Sequence, residues 1–253
     1  MSGLRRLIYT PSGRAGEYAD HGYAANLYQG CTHGCKYCYV PGIFRLAREE
    51  FHSGVQPAPM VLERLKADME RLGKLPEPVF LCFTCDPYAG KGPFTSACNI
   101  TREAIDIIAF YGNRVNILTK GGTRAIKDFG ALQRSGSMIG ATLTFWADEK
   151  SKDWELNAAL PGERIYMLEC AKDSGIETWA SIEPVIDPEE SLEVMRQAMH
   201  CVDTFKVGKW NHDSRAGEID WKRFARDAVA LLEGHGKKYL FKKDLREAIN
   251  QER

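Results

Sequence analysis

Residues 30–41 read Gly30-Cys31-Thr32-His33-Gly34-Cys35-Lys36-Tyr37-Cys38-Tyr39-Val40-Pro41, and the rest of the chain is best read outward from them. Cys31, Cys35 and Cys38 stand four and three residues apart. Three thiols packed so closely cannot all turn into a hydrophobic core, and they are better placed to hold one metal centre. Gly30 and Gly34 give the backbone freedom to curl around it. Soft thiolates select zinc, copper(I) or iron–sulfur clusters. A structural zinc site takes four protein ligands, and His33 is the only nearby fourth. A non-enzymatic zinc or iron–sulfur interaction module is therefore one reading. On a cubane cluster, three thiolates leave one iron open to a substrate or cofactor.

The chain has 253 residues, which fits one large domain with a substantial core. The boundaries expected are an N-terminal arm at 1–22, a barrel core at 23–212, and a C-terminal helix and extension at 213–253. Thirty-four basic and thirty-four acidic residues give a formal net charge of zero. That argues against strong non-specific attraction to nucleic acid, while leaving room for a local basic patch. No apolar run has the length of about eighteen residues that a membrane span needs. The apolar stretch near the N-terminus is too short for a signal peptide. Eight cysteines, three of them clustered, suit a metal site in a reducing cytoplasmic compartment better than a disulfide framework.

Downstream, strand and helix patterns alternate. Strands are expected at 23–29, 79–85, 115–119, 138–145, 177–185 and 204–209, with one more at 238–241 near the end. The run at 79–85 is continuously apolar, as in a strand buried on both faces. Helices are expected at 43–51, 60–72, 101–111 with Thr101 as N-cap, 123–133, 161–174, 188–200 and 221–233. The alternation implies parallel strands joined by right-handed crossovers. Six units fall two short of a closed barrel, so the fold class expected is α/β: an open, partial (β/α)6 TIM-type barrel.

Active sites of β/α barrels lie at the C-terminal ends of the strands. That rule gathers the cysteine loop, Cys85 and Asp86, Lys120, Thr142 and Thr144, Ser181 and Glu183, and Lys209 and Asn211 on one rim. Cys82 and Cys85 fall on opposite faces of a regular strand, which speaks against their sharing a second cluster with Cys98. Arg14 and Tyr18 read as surface packing. Lys237, Lys238, Lys242 and Lys243 read as a solvated basic stretch.

The Cys-x3-Cys-x2-Cys spacing, with Tyr37 before the third cysteine, resembles the signature of radical S-adenosylmethionine (SAM) enzymes. The longer stretch from Asn26 to Pro41 is similar to the spore photoproduct lyase-like branch. The resemblance implies that Cys31, Cys35 and Cys38 ligate a [4Fe–4S] cluster and that SAM occupies the open iron. It implies reductive cleavage of SAM to a 5′-deoxyadenosyl radical, which abstracts hydrogen from a substrate. It also implies a low-potential electron donor of the flavodoxin or ferredoxin type. Asp86, Lys120, Thr142 or Thr144, Arg164 and Glu183 are the cofactor-binding candidates. Thr119-Lys120 matches a Thr-Lys of the branch, and 155–164 resembles its Glu-Pro…Glu-Arg segment. A buried Glu183–Lys pair and a surface Arg164 are the plainer readings of those two residues.

Cys85, Tyr37, Tyr39 and Tyr88 are the catalytic candidates, although Tyr37 and Tyr39 also suit packing around a cluster. Asp86-Pro87-Tyr88 resembles the Thr-Asp-Pro-Tyr of the branch, but Ala89-Gly90-Lys91-Gly92 departs from the usual Gln-Pro-x-Glu. Counting back from Asp86, the hydrogen-donor cysteine of true lyases falls on Phe83. The substrate is thus left open between nucleic acid, nucleotide and peptide, with thymine-dimer-type DNA photoproduct cleavage as an alternative.

Overall fold

The computed structural model describes residues 5–19, 22–90 and 97–250. The expected loop sequence 89–92 is described only to Gly90, and the side chains of Arg14 and Cys98 lie outside the described residues. Ten strands are described: β1 Ile8–Tyr9, β2 Tyr23–Ala25, β3 Tyr28–Gln29, β4 Gln56–Pro57, β5 Val79–Leu81, β6 Val115–Thr119, β7 Met138–Thr142, β8 Glu177–Val185, β9 Thr204–Lys209 and β10 Lys238–Phe241. Eight of them form one sheet in the order β1-β2-β5-β6-β7-β8-β9-β10. From β2 to β10 every pairing is parallel, and β1 adds an antiparallel edge. The edge strands β1 and β10 do not pair with each other, so the barrel is open. All six expected strands are present, and the segment at 238–241 joins them as a seventh parallel strand.

Helices cover the outside of the sheet, and Ile105, Ile108, Leu132, Leu168, Met195 and Leu232 pack into one continuous core against it. The lumen is filled by aromatic side chains: Phe80 and Trp179 are buried, with Tyr18 and Phe83 against them. Gly140 makes room for this filling, because a Cβ there would sit 2.5 Å from the Trp179 ring.

Several local readings change: the helix expected at 123–133 is a 3-10 helix, Gly122–Asp128, running into an α-helix, Phe129–Ser135, and the strands expected at 79–85 and 138–145 end at Leu81 and Thr142. The first strand is split: β2 stops at Ala25, and β3 leaves the barrel to pair with β4. The switch is pinned by Asn26, whose side-chain oxygen accepts from Phe83 N at 2.8 Å and Thr84 N at 3.1 Å. Thr101 does not cap a helix. The helix runs Ala97–Phe110, and Thr101 is buried within it, donating to Pro87 O at 2.8 Å. The helix expected at 43–51 is two short ones, Val40–Phe44 and Arg48–His52, separated by Arg45 in the left-handed region.

Candidate active site

The strand ends and the cysteine loop enclose a cavity of about 440 Å³. Cys31, Cys35, Cys38, Cys85, Asp86, Lys120, Thr142, Ser181, Glu183, Lys209 and Asn211 all line it. Every cysteine whose side chain is described is a free thiol.

The loop is tightly built. Gly30 and Gly34 have φ of 77° and 67°, where a side chain is strained, and a Cβ on Gly30 would lie 2.2 Å from Gly54 O. Residues 154–157 hold the opposite side of the loop. Lys36 N donates to Trp154 O at 2.8 Å, Asn157 N to His33 O at 3.0 Å, and Asn157 Nδ2 to Thr32 O at 2.9 Å. Burial pushes all three thiols up, Cys35 to about 12, so each must release a proton on taking a metal. All three thiols line the cavity, and among the described residues no three His, Cys, Asp or Glu side chains stand close enough together to hold a metal ion as they lie. His33 does not complete a zinc set: its Nε2 lies 3.0 Å from Asp86 Oδ2, and its Nδ1 lies 3.4 Å from Asn157 O.

Asp86 is the hub that joins loop to barrel. Oδ1 accepts from Tyr88 N at 2.8 Å and Thr119 Oγ1 at 2.7 Å, and Oδ2 accepts from Lys120 N at 2.7 Å beside His33. Burial favours the neutral acid, but His33 and the donors from Lys120 and Thr119 outweigh it and hold the carboxyl well below the usual carboxylate range. With both oxygens engaged by protein, Asp86 reads as a clamp on the loop.

Arg164 and Tyr88 depart from their expected roles. Arg164 is 1% exposed and does not line the cavity. It donates to Ala159 O at 2.7 Å, Thr142 O at 2.9 Å and Glu155 Oε2 at 2.5 Å, so its guanidinium serves the protein interior. Glu155 in turn accepts from the Tyr37 hydroxyl. Burial pushes the Glu155 carboxyl up, but Arg164 and then Lys120 override it and keep it low. Tyr88 is fully buried with its hydroxyl 3.0 Å from Asp128 Oδ2. Arg102 holds the other Asp128 oxygen at 2.9 Å. Tyr88 is therefore part of the core.

Thr142 faces the cavity, whereas Thr144 does not. The strand ends at Thr142, so alternation no longer applies, and Thr144 sits 3.4 Å from the Tyr37 hydroxyl. For the same reason Cys82 and Cys85 both line the cavity, since β5 stops at Leu81. The Cys85 thiol is raised by burial first and then by its hydrogen bond with Cys82. Tyr37 and Tyr39 border the cavity; Tyr39 is half exposed, with its hydroxyl 3.4 Å from Phe83 O. The Lys120 ammonium lies 5.5 Å from the centre of the Tyr37 ring. Burial lowers the Lys120 ammonium, but Cys35 and Glu155 raise it further, so it stays charged.

At the far side of the cavity, Glu183 accepts from Lys242 Nζ at 2.8 Å and from the Tyr18 hydroxyl. Tyr18 also meets Ser181 Oγ at 2.8 Å. Tyr18 is thus a cavity wall residue and no surface packer, and Lys242, 3% exposed, is no solvated lysine. These two residues and His52 line the cavity, and Arg48 holds the cysteine loop; sequence reasoning gave none of the four a site role, and it met Glu155 only as the start of the 155–164 segment. An early and a late segment of the chain meet here, with Lys243 N donating to Glu17 Oε2 at 2.8 Å.

An open, mostly parallel β/α barrel with three cysteines lining a cavity at its strand ends is the class that the fold and site define. Comparison with known proteins narrows it: the model of the Radical SAM superfamily matches residues 25–202. The chain belongs to that superfamily, and membership implies an enzyme with an iron–sulfur cluster and SAM. A Mycobacterium bovis protein, Mb2609c, described as uncharacterized, is 25% identical over 179 residues, covering 65% of this chain and 49% of that one. The chain thus spans about half the length of that relative. Spore photoproduct lyase complexed with dinucleoside spore photoproduct superposes with a TM-score of 0.70 at 14% identity, covering 95% of this chain and 81% of that one. Streptococcus suis SuiB bound to S-adenosylmethionine gives 0.65 at 13% identity, covering 90% and 52%. At these identities the two structures speak for the fold alone. Among the described residues no helix is long and apolar enough to cross a membrane.

Proposed function

We propose that the protein reductively cleaves SAM at a [4Fe–4S] cluster held by Cys31, Cys35 and Cys38, and uses the resulting 5′-deoxyadenosyl radical to abstract hydrogen from a substrate. The observation that carries this reading is that three thiols and the polar strand-end side chains line one cavity of a chain that belongs to the Radical SAM superfamily. When bound, the cluster and SAM supply the electron and the radical chemistry. The chain's part is to bind, orient and shield. Lys120, charged and beside Cys35, suits an anionic carboxylate or a ribose. Thr142 and Ser181 offer hydroxyls along the same wall, and Glu183, held by Lys242, presents a fixed carboxylate. Cys85, backed by Cys82, and Tyr39 are the cavity groups suited to returning hydrogen.

The partner expected is a low-potential electron carrier of the flavodoxin or ferredoxin type, and the free thiols suit a reducing cytoplasm. The thymine-dimer lyase reaction draws no support from the cavity, where Phe83 stacks on Phe80 with ring centres 4.2 Å apart. The apolar filling around that pair leaves the substrate class open.

Anaerobic reconstitution with iron and sulfide tests the reading. Four irons per chain, and 5′-deoxyadenosine released from SAM on addition of dithionite, are expected; Cys38→Ala should lose both. Bound zinc without SAM cleavage would overturn it in favour of the interaction module.

A further inference from the structure

The helix Arg48–His52 touches the backbone of every cysteine in the triad. Arg48 Nη1 donates to Cys38 O at 2.9 Å, and Nη2 donates to Lys36 O at 2.8 Å and to Cys35 O. One turn on, His52 Nδ1 lies 2.7 Å from Cys31 O. A carbonyl only accepts, so Nδ1 carries the hydrogen. Phe51 O accepts from Cys31 N at 3.3 Å, which fixes a second point of the same cysteine. The second imidazole nitrogen, Nε2, is shut off from solvent without a hydrogen-bond partner among the described residues, on a side chain that lines the cavity.

Holding three carbonyls requires donors but not a charge, and backbone amides or water would serve. Here the donor for two of the three cysteines is a guanidinium, which cannot be deprotonated in a protein. Cluster potentials respond to net charge and to hydrogen bonding around the ligands, and outer partners of ligating residues orient them as well. We propose that Arg48 and His52 are positioning residues with separable roles. Together they brace the triad's backbone, and Arg48 alone, through its fixed positive charge, makes the cluster easier to reduce. The proposal rests on the cluster reading above. The step concerned is uptake of one electron by the cluster from its external carrier; no bond is made or broken and no proton moves.

The test is a redox titration of the reconstituted protein without SAM, followed by the electron paramagnetic resonance signal of the reduced cluster. Wild type, Arg48→Lys, Arg48→Gln and His52→Gln are compared. Each variant is first checked by circular dichroism in its metal-free form. Loss of a brace should reduce iron retention in all three variants, by about ten-fold at least. The potential should move to more negative values in Arg48→Gln only, because Arg48→Lys and His52→Gln leave the charge in place. The potential is read from whatever fraction is loaded, so partial loading does not obscure it. A wild-type potential in Arg48→Gln, with iron retention alone reduced, overturns the tuning role and leaves the cluster reading standing. A wild-type protein that takes up no cluster overturns both.

Discussion

Asp86→Asn removes one charge and one acceptor from the point where loop and barrel are tied together. The two carboxylate oxygens serve three donors at 2.7–2.8 Å, with His33 Nε2 at 3.0 Å. An asparagine has only one oxygen. If that oxygen stays on Tyr88 N and Thr119, the amide nitrogen faces Lys120 N–H, donor against donor. If the amide is reversed, Tyr88 N–H is left without an acceptor. A buried donor stranded in this way costs about 1–3 kcal/mol. Losing the charged partner of the buried His33 adds to it, for about 2–4 kcal/mol in total.

In a domain of this size that is a fall in Tm of about 5–15 °C, to be measured by thermal and urea melts of the metal-free protein. The pH dependence has a definite sign. The folded carboxyl sits below its unfolded value of 3.8, so its contribution is complete above that pH and is lost as pH falls toward the folded value. The gap between wild type and Asp86→Asn should therefore narrow below about pH 4. A gap under about 0.5 kcal/mol at neutral pH, the range of an ordinary surface substitution, would refute the role assigned to Asp86. A gap that stays constant into the acid range would refute its electrostatic part.

Other substitutions probe the remaining parts of the site. Lys242→Met leaves the half-buried Glu183 carboxylate without its cation and should cost about 2–4 kcal/mol. Adding Glu183→Gln should recover more than about 1 kcal/mol of this in a double-mutant cycle, and strict additivity would mean that the pair is not coupled. Gly208→Ala places a Cβ 2.5 Å from Glu183 Cδ. It should lower stability by about 1–3 kcal/mol and weaken SAM binding by calorimetry; unchanged binding would detach Glu183 from the ligand. Tyr88→Phe strands one Asp128 oxygen and should cost about 1–2 kcal/mol with SAM cleavage intact. A large loss of cleavage in a folded Tyr88→Phe protein would restore the catalytic role that the core position removes.

Much of the fold was legible because its signals are local. Six strand positions and the helices expected at 60–72 and 161–174 follow from apolar periodicity and from proline and glycine punctuation, which depend only on near neighbours, and the structure has them at Val61–Leu72 and Pro161–Asp173. The cysteine motif carried the metal site for the same reason. Errors gathered where a strand ends, because alternation predicts a face only while the strand continues. Thr144, Cys82 and Cys85 all lie just beyond such an end. Arg164 shows a different limit: its position near the rim was inferable, but the direction of its guanidinium follows from Glu155 and two carbonyls that no local pattern identifies.

By itself, then, the sequence determined the parallel α/β architecture, the three-cysteine loop after the first strand and the gathering of polar residues at one rim, since spacing and periodicity encode these along the chain. Tertiary structure alone decided which of those residues face the cavity and which are spent holding it together. Asp86 is committed to His33, fifty-three positions earlier in the chain. Glu183 is committed to Tyr18 and Lys242 from opposite ends of the chain. Partnerships of this kind depend on the distance between side chains after folding, and nothing in the order of residues states that distance.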